Sequence, residues 1–78
     1  MVVEFYLYFP DEAQAAPAIE RLKRKGFKIE SRLAAEGSQW LVLATKDIFP
    51  WLLFLAEQTM ESLASSTGGE YDGYSRAV

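Results

Sequence analysis

The segment Gly68-Gly69-Glu70-Tyr71-Asp72-Gly73-Tyr74 decides how this sequence folds, because it converts a long helix into a final strand. Before it, Phe49, Leu52, Leu53, Ala56, Met60, Leu63 and Ala64 recur at helical spacing and mark one apolar side. The glycine pair ends that helix, since glycine enters the left-handed cap conformation without steric penalty. Glu70 to Ser75 then reads as a short strand, weakened by Gly73. At the other end of the helix Asp47 is the candidate cap, and Pro50 falls in the tolerant first turn.

Further upstream, Trp40-Leu41-Val42-Leu43-Ala44 is apolar at every position, which predicts a central strand covered on both faces. Glu36-Gly37-Ser38 supplies a turn before it. Phe27, Ile29, Ser31 and Leu33 alternate with Lys28, Glu30 and Arg32, the pattern of a half-buried strand. Ala15, Ala18, Ile19 and Leu22 form the narrow stripe of a first helix, stopped by Gly26. Asp11 caps this helix, and Gln14 stands where a capping box needs it. Pro17 either removes one helical hydrogen bond and bends the helix, or marks a later start. Val2 to Phe9 is the first strand, with Val3, Phe5, Leu7 and Phe9 on one face and Val2, Glu4, Tyr6 and Tyr8 on the other.

The order is therefore βαββαβ, the split βαβ arrangement of ferredoxin-like folds. Two right-handed crossovers put both helices on one face of a four-stranded antiparallel sheet, an α+β sandwich. Residues 1–78 read as one domain without linker, repeat or low-complexity segment.

Composition removes whole classes of chemistry. There is no cysteine, so no disulfide, thiolate metal site or thiol nucleophile. There is no histidine, so the commonest general base and metal ligand is missing. No phosphate-binding loop, nucleophile elbow or metal motif occurs, and no catalytic residue, metal or cofactor is expected. A net charge of −3 disfavours direct nucleic-acid binding, which draws on phosphate neutralisation. No apolar run reaches the ~18 residues of a membrane span. The N-terminus lacks a basic region ahead of its apolar residues, so no secretory signal is read and the cytoplasm is expected.

Phe5-Tyr6-Leu7-Tyr8-Phe9-Pro10-Asp11-Glu12-Ala13, Trp40-Leu41-Val42-Leu43-Ala44-Thr45 and Gly68-Gly69-Glu70-Tyr71-Asp72-Gly73-Tyr74 resemble the RraB family, in the same element order. The Gly-Gly-Glu-Tyr-Asp-Gly-Tyr run is the most specific piece. The resemblance implies a ferredoxin-like, non-enzymatic domain that binds a protein partner, ribonuclease E, and inhibits RNA degradation. This sequence corresponds to the folded domain without the acidic extension that some members carry. Trp51-Leu52-Leu53-Phe54 is bulky for the start of a second helix in that family.

Two surfaces compete as the contact site, and two polar runs carry a structural reading. Trp51 and Phe54, three residues apart, fall opposite the apolar side of the second helix. They either anchor a partner or are covered where the first turn dips into the domain. Tyr6 and Tyr8 are expected on the open sheet face, joined either by Trp40, Val42 and Ala44 or by Leu41 and Leu43. That face suits a protein partner or a second copy forming a homodimer. RNA stacking is the alternative, although the basic-glycine-aromatic signature of RNA-reading sheets is missing. A small-molecule sensing module of the ACT type shares the topology. Arg21, Lys23, Arg24, Lys25 and Lys28 form the one basic run, read chiefly as cations complementing a helix C-terminus. Glu70, Tyr71, Asp72 and Tyr74 read as strand and turn chemistry rather than as a cation site.

Overall fold

The computed structural model of the protein describes residues 1–35 and 37–76. Its elements are β1 (Val2–Phe9), α1 (Glu12–Arg24), β2 (Lys28–Leu33), β3 (Trp40–Asp47), a single 3-10 turn (Pro50–Leu52), α2 (Leu53–Thr67) and β4 (Glu70–Arg76). The sheet order is β2-β3-β1-β4, and every neighbouring pair is antiparallel. This is the ferredoxin-like βαββαβ sandwich that the element order predicts. Of the expected turn at Glu36-Gly37-Ser38, Glu36 lies outside the described residues.

β1 sits at the centre because alternate positions are apolar. Val3, Phe5, Leu7 and Phe9 are fully buried beneath the helices. Ala15, Ala18 and Leu22 of α1 and Met60, Leu63 and Ala64 of α2 close over them. The Phe5 ring meets Phe27 edge-on, with centroids 6.0 Å apart. β3 is the other inner strand, as expected, but helices cover only one of its faces. Val42 and Ala44 lie opposite Leu7 and Phe5 on the helix side, while Leu41 and Leu43 lie opposite Tyr8 and Tyr6 on the other. Leu43 is nevertheless only 8% exposed, so its neighbours within the sheet shield it. β2 is an edge strand and more exposed than its alternation suggests.

α1 begins at Asp11, whose Oδ1 accepts the Gln14 N–H at 2.8 Å, and it runs through Pro17 without a later start. The reciprocal half of the capping box is not made. The Gln14 side-chain amide instead donates to the Thr67 carbonyl at 3.3 Å, capping the far end of α2. Asp11→Ala should therefore lower stability by about 1 kcal/mol, read as a fall of roughly 4–8 °C in Tm, with Asp11→Asn close to wild type.

The start of α2 differs from expectation. β3 continues to Asp47, whose carboxylate lies 3.0 Å from the Met1 amino group and caps no helix. The chain leaves β3 at Ile48, enters the 3-10 turn at Pro50, and only then becomes α-helical at Leu53.

Candidate partner-binding surface

The 3-10 turn determines which rings reach solvent. Leu52 N–H bonds to the Phe49 carbonyl at 2.9 Å, and Pro50 occupies the first position, where its missing N–H is harmless. A 3-10 turn advances three residues per turn, so it shifts the phase of everything before Leu53. Phe49, expected on the buried side, turns outward and stacks on Trp51 with centroids 4.8 Å apart and planes 11° apart. Trp51 is 74% exposed, Phe54 68%, Phe49 61% and Leu55 56%. Of the two readings for Trp51 and Phe54, the geometry gives the exposed one. Leu53, Ala56 and Met60 pack inward, as their spacing predicts.

The open sheet face holds Tyr6 and Tyr8 with Leu41 and Leu43 between β1 and β2. Tyr6 is already engaged: its hydroxyl lies 2.6 Å from Ser75 Oγ and donates to Glu4 Oε1 at 3.2 Å. Glu30 and Arg32 flank the two leucines from β2 and pair with each other at 3.2 Å. Trp40 is not part of this face. It pairs with Phe9, packs against the core from the helix side, and is half-buried. The alternative that grouped it with the tyrosines is corrected by the register of β3 on β1. Its indole N–H is buried and finds no partner among the described residues.

The run from Gly68 to Tyr74 builds the exit of α2 and the edge strand β4. Gly68 takes φ +81° and donates its N–H to the Ala64 carbonyl, the left-handed cap. Gly69 also donates to Ala64, at 2.8 Å. Glu70 pairs with Tyr8 and is exposed, whereas Tyr71 pairs with Leu7 and points under α2. Asp72 and Gly73 form an irregularity in the pairing between Phe5 and Leu7. Gly73 has φ +104° with open space where a Cβ would stand, so it serves the backbone bend. Tyr74 returns to the helix side, 6.2 Å from the Phe5 ring. Among the described residues no group of three or more histidine, cysteine or acidic side chains is placed to hold a metal ion.

Residues 1–75 match the family model described as RraB, Regulator of ribonuclease activity B. The chain belongs to the RraB family. Membership makes it a regulator of ribonuclease E activity and not an enzyme. No curated protein and no solved structure matches the chain. Among the described residues no helix is long and apolar enough to cross a membrane.

Within this RraB-family fold, the run from Gly68 to Tyr74 ties β4 to β1 and α2. The Tyr71 hydroxyl donates to Glu57 Oε1 at 2.7 Å and ties β4 to α2. Burial, then the bond to Glu57 and its negative charge, hold the Tyr71 phenol above the ordinary tyrosine range. A group whose folded pKa is raised stabilises the fold fully below its unfolded pKa, and that contribution is lost as pH rises through the folded value. Stability should thus decline above about pH 10, and Tyr71→Phe should remove that part of the decline in urea melts taken across the alkaline range. Phe49 and Leu55 are surface residues that sequence reasoning missed. The Phe49-Pro50 pair was the available signal, since a proline just after a strand suits a tight entry turn.

Proposed function

We propose that this protein lowers RNA cleavage by docking on ribonuclease E, or on its scaffold segment, and occluding it. The observation that carries this reading is the group Phe49, Trp51, Phe54 and Leu55, close in sequence and all more than half exposed where α2 begins. Exposed apolar area forgoes about 25 cal/mol per Å2 relative to burial, and clustered rings of this kind mark interaction sites. Tryptophan is enriched among residues that dominate interface energy. Trp51 and Phe54 are the primary contacts, and Tyr6 and Tyr8 are secondary. Trp40, on the helix side, is outside this set. The cytoplasm is the setting that suits such a regulator. Titrating purified ribonuclease E with the protein should give saturable binding and reduced cleavage. No binding, with cleavage unchanged, would defeat the reading.

A homodimer is the second reading, favoured by the half-exposed Tyr8–Leu41 pair on the open sheet face. It is the weaker of the two, because Leu43 is already shielded and Tyr6 already hydrogen-bonded. Light scattering that reports a monomer at high concentration would remove it.

A further inference from the structure

We infer that the outer side of α2 forms a groove for an acidic amphipathic helix of the partner protein. This rests on the docking reading above and names the chemistry of the docked segment. Two depressions make the groove. One, of about 710 Å3, lies between α1 and α2 against Arg21, Lys25, Leu55 and Ser62. The other, of about 440 Å3, lies at the start of α2 over Phe27, Ile48, Leu52 and Ala56. Lys25, Leu55 and Thr59 line both, so the two are continuous. The lining runs from Leu52 in the 3-10 turn along α2 to Ser66, roughly 21 Å of axis at 1.5 Å per residue, which matches about four turns of a docked helix. Trp51 and Phe54 stand within the same stretch of chain as Leu52 and Leu55, at the apolar end.

Charge selects the occupant. Arg21, Lys25 and Lys46 line the groove and, among the described residues, no carboxylate does, in a protein of net charge −3. Lys46 is held in place: its ammonium donates to the Lys25 carbonyl at 2.7 Å and sits 5.1 Å from the centre of the Phe27 ring. Arg24 is paired with Glu20, but among the described residues Arg21, Lys25 and Lys46 pair with no carboxylate. The occupant must therefore bring its own negative charge beside an apolar stripe. A helix fits better than a strand, because helical walls satisfy their own backbone and offer no edge for strand addition. RNA fits poorly, since one end of the groove is apolar and three cations supply little phosphate neutralisation.

The test uses the full chain and two synthetic peptides about 16 residues long, roughly the length of the groove. Both carry the same leucine stripe at i, i+3, i+4 and i+7; one has glutamate and the other lysine at the polar positions. Calorimetry should show binding of the glutamate peptide, with a gain of helical circular dichroism, and none of the lysine peptide. The double variant Arg21→Gln/Lys25→Gln should lose roughly tenfold in affinity at low salt, as exposed charge pairs allow. Leu55→Asp should abolish binding while the protein stays folded by circular dichroism. Equal binding of the lysine peptide, an unchanged double variant, or undiminished binding of a proline-interrupted glutamate peptide would overturn the inference. So would preferential binding of poly(U) RNA, or self-association through Leu55. Ribonuclease E separates the two readings. If it binds wild type and the double variant equally but not Trp51→Ala, the groove fails and the docking surface stands. If it binds neither, while the glutamate peptide binds as described, the groove stands and the nuclease reading fails.

Discussion

Replacing Trp51 and Phe54 together by alanine should weaken binding to ribonuclease E by about a hundredfold or more, because buried aromatic anchors are each worth upward of ~2 kcal/mol at interfaces. Folding should barely change. Both rings are mostly in water, at 74% and 68% exposure, so the folded state loses little buried area when they go. The stack of Trp51 on Phe49, an exposed aromatic pair, is lost with the ring. The readouts are a calorimetric isotherm with the nuclease, a cleavage assay, and a thermal melt of the variant alone. Unchanged affinity in this variant, combined with loss in Tyr8→Ala, would move the docking surface to the open sheet face. Loss in both would make the contact larger than the α2 patch. A melt lowered by many degrees would instead mean that the rings support the fold, as the covered reading of the first turn supposed.

How far the sequence revealed this surface depends on local geometry. Phe54 was legible because it belongs to the regular α2, where a helical projection holds; Trp51 lies in the 3-10 turn, and its exposure agrees with that projection although the phase shifts there. Phe49 was not legible on the same projection. The chain before Leu53 follows a 3-10 turn, whose shorter repeat rotates Phe49 away from the core and onto Trp51. Asp47 misled for a related reason. It has the chemistry of a cap, but β3 extends past Ala44 to include it, so its carboxylate meets the Met1 amino group instead. The faces of β1 were readable from simple alternation. Those of β3 were not, because five consecutive apolar residues carry no alternation, and only the pairing of Phe9 with Trp40 fixes the phase. The strand order followed from the split βαβ rule. The partner did not follow from physical pattern at all; it came from the family, which covers residues 1–75. The groove cations were visible in sequence as helix-end charges. That Lys46, from β3, joins Arg21 and Lys25 needed the tertiary structure.

Gly69→Ala should cost about 2–3 kcal/mol of stability, typical of forced overpacking and more than alanine at Gly68 or Gly73 costs. A Cβ at Gly69 would lie 2.5 Å from Cε1 of Phe9, 2.6 Å from its Cδ1 and 2.7 Å from the Tyr8 carbonyl oxygen. None of these can yield cheaply. Phe9 is fully buried, and the Tyr8 backbone belongs to the central strand β1, which carries pairing on both sides. Gly68 makes an instructive contrast. A Cβ there would meet Gln14 Nε2 at 2.5 Å, but that atom is the end of a flexible side chain on an exposed bond to Thr67. Its penalty is the left-handed backbone, roughly 1 kcal/mol, as for Gly73, where no neighbour lies within 4 Å. The ordering Gly69 above Gly68 and Gly73 is thus a statement about packing against conformation. At roughly 4–8 °C of Tm per kcal/mol for a chain of this size, Gly69→Ala should melt about 8–24 °C below wild type. The other two should melt about 4–8 °C below. If Gly68→Ala proved the most damaging of the three, the helix cap would be the critical element, and the close seating of α2's exit on Phe9 would not be what the glycine pair protects.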